Sequence, residues 1–98
     1  MTEKYEKFVE ESWTGPATVE YCAIGFGGEA GEVLNEIKKE MRDGSHRQEL
    51  IRDELGDTLF YFTRLCRLHG YTLDDIMQAS IRKVILLKEC EKVGVKES

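Results

Sequence analysis

From Val19 to Met41 the chain places Val19, Ala23, Phe26, Ala30, Val33, Ile37 and Met41 at steps of three and four residues, with no proline among them. At about 100° per residue these side chains fall on one stripe, the period of an α-helix and not of a strand. That stripe is the expected core face. The single proline is Pro16, and Gly44 and Gly70 cut the remaining sequence into lengths that suit helices.

Four helical segments result. Residues 3–12 form a short helix with Tyr5, Phe8 and Val9 on its apolar side, interrupted by Trp13, Thr14, Gly15 and Pro16. The second begins near Ala17 or Thr18 and ends at Asp43, where Gly44 supplies a left-handed residue. Gly25, Gly27, Gly28 and Gly31 lie inside it, each costing about 1 kcal/mol relative to alanine. A loop through GFGG is the alternative, but the stripe runs on through Val19, Ala23 and Phe26 and favours a helix. Glycines there clear space for a ligand or for another backbone.

Ser45 and Gln48 in SHRQ read as a capping box that opens a third helix, His46 to His69, ended by Gly70. Its apolar residues, among them Leu50, Leu55, Leu59, Phe62 and Leu65, spread over about half the wheel, wider than an ordinary surface helix. Such a helix needs neighbours on two sides. Thr72 with Asp75 caps a fourth helix, whose stripe Leu73, Ile76, Met77, Ser80, Ile81, Val84, Leu87 carries it to Cys90 or Glu91; residues 92–98 are expected to fray. With no strand alternation, repeat or linker, the expectation is one all-α domain over residues 1–98: a bundle of four helices, three of them long. A chain of 98 residues buries a modest core, so oligomerisation is expected to complete it.

The net charge of −5 argues against a surface that grips nucleic acid. A small phosphorylated ligand stays open, because a bound cation supplies the missing positive charge. Cys22, Cys66 and Cys90 have no metal-ligand spacing and read as reduced thiols, and His46 and His69 stand alone. No stretch of 18 apolar residues and no signal-like start occurs. A soluble cytoplasmic protein with no membrane partner is expected.

Two acid pairs stand out, Glu29/Glu32 and Glu54/Asp57, each at i and i+3. On a helix both carboxylates of a pair project from one side. An isolated pair in so charged a sequence usually marks a solvated face. Here Glu54 falls inside the apolar arc of the third helix with Asp57 at its border, while Glu29, Glu32 and Glu36 flank the core stripe of the second. A carboxylate in that position needs a partner. Arg47, Arg52, Arg64 and Arg67 are available, but the last three project mainly to the polar side of their helix. A hard divalent cation, Mg²⁺ above all, fits an all-oxygen cluster better.

The run GFGGEAGEVLNEIKKEMRDG, followed by IRDELGDTLFYFTRLCRLHGYTLDDI, resembles the MazG family of all-α nucleotide pyrophosphohydrolases. The resemblance covers about Tyr21 to Lys83: EAGEV, a spacer of 21 residues between Glu32 and Glu54, DELGD, an aromatic pair, and a glycine before a capped last helix. It implies hydrolysis of an NTP or dNTP between the α- and β-phosphates, dependent on Mg²⁺ with Mn²⁺ as a substitute. Glu29, Glu32, Glu54 and Asp57 would ligate the metal, one of them helping to deprotonate the attacking water. It also implies a homodimer or homotetramer. Where the family often has NxxK this chain has SIRK, so Ser80 and Lys83 take those positions as substrate contacts. Lys38, Lys39 and Arg42 are further phosphate candidates, although the helix dipole equally explains basic residues there. Tyr61 and Trp13 are the aromatics that could contact the base, against the commoner role of core packing. A phosphoribosyl-ATP pyrophosphatase-like variant and a non-catalytic metal-binding or regulatory module are the alternatives.

Overall fold

Thr18 and Gly44 bracket the longest helix. The Thr18 side chain accepts a hydrogen bond from the Tyr21 N–H at 3.2 Å, and Gly44 sits at φ 65° with its N–H bonded to the Glu40 carbonyl. In the computed structural model, which describes residues 1–92, the chain forms α1 (Thr2–Ser12), α2 (Val19–Asp43), α3 (Gln48–Leu68) and α4 (Leu73–Lys92), and no strand occurs among those residues. The second helix passes unbroken through all four of its glycines, as the stripe predicted. The frayed end expected over residues 92–98 falls, after Lys92, outside the described residues.

α2 and α3 pack along each other as an antiparallel hairpin, and α1 and α4 pack on α3. The face that α2 turns to α3 carries Cys22, Phe26, Glu29 and Glu36. That meridian is rotated by roughly 60° from the predicted stripe. Phe26, Ala30 and Val33 are half-buried, but Val19, Ala23, Ile37 and Met41 are exposed, Met41 at 81%. The expected core face was therefore displaced toward its glutamates. The reason is that the start of α3 brings Arg47 to Glu36 and the Tyr61 ring lies against Gly25, which a polarity count within one helix does not register.

The capping box at Ser45 does not form. Arg47 is the residue before the first turn of α3, with no side-chain cap, and the carboxylate of Glu40 on α2 accepts from the Arg47 N–H at 2.9 Å. An acceptor from the neighbouring helix has replaced the local one. The box at α4 does form: the Thr72 N–H donates to Asp75 at 2.9 Å and the Asp75 N–H to Thr72 Oγ1 at 3.0 Å. Glu6, buried on α1, accepts from the Leu73 N–H at 2.9 Å and lies 3.8 Å from Arg67. That one carboxylate ties α1 to the α3–α4 corner.

The buried interior is small: Val9, Cys22, Thr63, Cys66 and Leu73 are its uncharged members. Leu50, Leu55 and Leu59 on α3 and Ile81, Val84, Ile85 and Leu86 on α4 are exposed. No helix among the described residues is long and apolar enough to cross a membrane.

Candidate metal centre and adjoining aromatic pocket

The antiparallel register of α2 and α3 places Glu29 opposite Glu54 and Asp57. One carboxylate oxygen from each of these three lies within 4.8 Å of the others. Glu29 and Glu54 are half-buried and Asp57 is exposed. Burial pushes the carboxyl of Glu29 up from its ordinary range, helped by the charges of Asp57 and Glu32. Glu54 is raised likewise, first by loss of solvent and then by Asp57, Glu29, Glu32 and Glu36. Among the described residues no lysine, arginine or histidine lies within salt-bridge distance of Glu29, Glu32, Glu54 or Asp57. Crowded carboxylates without a counter-ion are the arrangement that a divalent cation relieves, so the donor set fits a hard metal. Glu32 is exposed and outside the three-oxygen group, one turn from Glu29.

Glu36 belongs elsewhere. Arg47 Nη1 meets it at 3.0 Å and Lys39 Nζ at 3.5 Å, so it is neutralised by side chains. Lys39 is thereby held at Glu36, Arg42 pairs with Asp43 at 2.7 Å, and Lys38 is exposed. Arg64 does not project to a polar side, since its guanidinium lies 5.8 Å from the Trp13 ring centroid, whereas Arg67 is exposed as expected while also standing 3.8 Å from Glu6. Sequence reasoning judged them by their own helix, and α1 with the following loop supplied their partners.

Beside the acids, Tyr61 and Trp13 do come together. Their ring centroids are 5.4 Å apart at 81°, Trp13 stacks on Phe60 at 5.5 Å, and Tyr21 completes the group 6.4 Å from Tyr61. Trp13 Nε1 donates to the Pro16 carbonyl at 3.2 Å, which fixes the indole over the α1–α2 loop. These rings and residues 12–15 line a cavity of about 130 Å³. A larger hollow of about 680 Å³ lies beside α4, between Tyr71 and Arg82, and contains none of the four acids. The Tyr61 phenol is raised by burial and, among weaker causes, by the charge of Glu29. Tyr61 lines the cavity and stands one turn beyond Asp57 on α3.

The expected ligand space at the glycines is absent at Gly25, where the Tyr61 ring fills it, while Gly27, Gly28 and Gly31 face open space. Ser80 and Lys83 are exposed on α4, which packs on α1 and α3 and not on α2. Within one chain, therefore, they stand apart from the α2 acids. His46 is exposed and His69 ends α3, its Nδ1 2.9 Å from the Leu65 carbonyl, as helix-end residues.

Comparison with known proteins shows the family. The family model of the MazG nucleotide pyrophosphohydrolase domain matches residues 18–89, a span that includes all four acids. The gene 37 protein of Mycobacterium phage L5 is 30% identical over 69 residues, which cover 65% of this chain and 60% of that protein. The match thus spans about three fifths of the relative's length. No solved structure matches significantly. An all-α hairpin that sets ExxE against ExxD, together with a match over most of the chain, leads to one conclusion: the chain belongs to the MazG nucleotide pyrophosphohydrolase domain family.

Proposed function

We propose that the chain hydrolyses a nucleoside triphosphate or deoxynucleoside triphosphate between the α- and β-phosphates, giving a monophosphate and pyrophosphate. The observation that carries this reading is the group Glu29, Glu54 and Asp57, three carboxylates in mutual reach with no salt-bridge partner among the described residues. These residues would hold Mg²⁺, or Mn²⁺ in its place, and Glu32 would complete the set by turning toward them. When bound, the cation supplies positive charge for the phosphate oxygens and makes water more acidic.

The chain's own groups divide the remaining work. One carboxylate of the set accepts the proton of the attacking water as the water oxygen bonds to phosphorus and the pyrophosphate oxygen departs. The cavity between Trp13, Tyr21 and Tyr61 receives the base, because aromatic walls suit a flat ring. Lys83 and Ser80 would reach phosphates across a second copy of the chain, since their own α4 does not pack on α2. The exposed apolar residues of α3 and α4 support a homodimer or homotetramer, as patches of this kind mark contact surfaces. Such a reaction belongs in the cytoplasm, where its nucleotides are.

The test is a panel of canonical and modified NTPs and dNTPs incubated with the protein and Mg²⁺, with monophosphate and pyrophosphate scored separately. Turnover of at least one nucleotide, abolished by a chelator and by Glu54→Gln, is expected. If no nucleotide is turned over and Glu54→Gln binds Mn²⁺ as the unaltered protein does, the enzyme reading gives way to a non-catalytic helical module.

A further inference from the structure

We infer that Gly25 is a positioning residue: its missing side chain lets Tyr61 lie against α2, fixing the wall shared by the carboxylate group and the aromatic cavity. The functional part of this inference rests on the nucleotide reading above. The geometric part does not.

A Cβ built on Gly25 would overlap Cδ1 and Cε1 of Tyr61 and stand 3.0 Å from its Cζ. Contacts that close force the ring to move. No other glycine of α2 carries this requirement, since a Cβ on Gly27, Gly28 or Gly31 meets nothing within 4 Å. Alanine is also the better helix former by about 1 kcal/mol, so helix propensity gives no reason for glycine at this position. What it gains is the close approach of an aromatic ring.

The ring that occupies the space has two neighbours of different chemistry. Gly25 lies one turn from Tyr21 and one turn from Glu29 on the same face of α2. Tyr61 therefore crosses α2 between a wall of the cavity and a member of the carboxylate group. Trp13 meets the same ring edge-on at 5.4 Å, so a displaced Tyr61 must either enter the cavity or press on the indole. Gly25 thereby sets how wide the base cavity is and how far it stands from the carboxylates, without touching substrate.

Trp13 is the single tryptophan of the chain, and its emission reports the position of Tyr61 independently of turnover. The experiment compares Gly25→Ala, Gly27→Ala, Tyr61→Ala and the Gly25→Ala/Tyr61→Ala double variant by helix content, Trp13 emission, Mn²⁺ affinity and steady-state kinetics. Gly25→Ala should shift the Trp13 emission and raise KM tenfold or more, with kcat within threefold and Mn²⁺ affinity within twofold of the unaltered protein. Gly27→Ala should change none of these. In the Tyr61→Ala background the same glycine substitution should change emission and KM less than twofold, because the ring it would strike is gone.

The inference is overturned if Gly25→Ala leaves emission and KM unchanged, or if its effect is as large without Tyr61 as with it. A protein that turns over no nucleotide would remove the nucleotide reading, and the emission comparison would still decide whether Gly25 positions Tyr61. If Gly25→Ala alone does not fold, the positioning claim requires that the double variant does; an unfolded double variant overturns it.

Discussion

Two groups of carboxylates lie on the α2–α3 interface, and they have opposite surroundings. Glu36 is buried with Arg47 at 3.0 Å and Lys39 at 3.5 Å. Two turns earlier on the same helix, Glu29 meets Glu54 and Asp57 and has no salt-bridge partner among the described residues. The first arrangement is complete within the chain and holds the hairpin near its loop. The second has no counter-charge among the described residues, and the proposed cation would supply it. The contrast separates the structural end of the hairpin from the end we assign to chemistry, although both ends carry a glutamate on the side of α2 that faces α3.

The comparison breaks most visibly in turnover. Glu54→Gln keeps the shape of the side chain and removes one charge, so hydrolysis should fall by about a hundredfold or more, the scale at which loss of a metal-ligand environment is felt. Its metal-free fold should nevertheless melt at a higher temperature at neutral pH. The sign follows from the raised carboxyls of Glu29 and Glu54. An acid whose folded pKa is raised adds stability at low pH and loses it as pH rises through that value, so at neutrality the ionised group opposes folding. Calorimetric melting of the metal-free proteins decides it, and a lower melting temperature for the variant would contradict this account.

The opposite end should respond in the opposite sense. Arg47→Ala leaves Glu36 buried with only Lys39, and a loss of about 2 to 3 kcal/mol in denaturant unfolding is expected, below the full cost of a buried pair because Arg47 is partly exposed. Adding Glu36→Gln should recover much of it. Neither change should move Mn²⁺ affinity. A third expectation sharpens the same contrast: Mg²⁺ at about a hundredfold above its Kd should stabilise the protein by roughly 2.7 kcal/mol, and should do so equally in Arg47→Ala but not in Glu54→Gln.

The smallest effect lies away from both groups and serves as a control. Thr72→Ala removes half of the box at the start of α4 and should cost about 1 kcal/mol. Asp75 is held below its ordinary value of 3.8 by the Thr72 N–H and hydroxyl. Its contribution is therefore present above that ordinary value and lost as pH falls through the folded value. Asp75→Asn should flatten the acid limb of the stability profile and leave metal affinity unchanged.

What the sequence disclosed follows from how local each interaction is. Thr18, Gly44, Thr72 and Asp75 act within one turn of their own helix, and each forms the terminus that its residue type predicts. The intrusion of Glu54 into the apolar arc of α3 was legible for the same reason, and Glu54 is half-buried. Ser45 was misleading because the competing acceptor, Glu40, comes from another helix. The rotation of α2 was hidden because Glu36 becomes a core residue only once Arg47 arrives from beyond the loop.

Gly25 and Arg64 show the same limit at the aromatic pocket. The glycine could be recognised as a place of close approach, but which group approaches depends on the register of α3. Arg64 reads as a solvent-facing cation until Trp13 is folded over it. A pairing of basic residues with the acids of every other helix, instead of the wheel of one helix alone, is the signal that could have separated Glu36 from Glu29.

The most direct test of the central claim is a Mn²⁺ titration followed by electron paramagnetic resonance at neutral pH, on the unaltered protein, Glu54→Gln and Glu36→Gln. Saturable binding by the unaltered protein, weakened at least tenfold by Glu54→Gln and changed less than twofold by Glu36→Gln, is the predicted result. Equal weakening by both substitutions, or no saturable binding at all, would contradict the assignment of a metal to Glu29, Glu54 and Asp57.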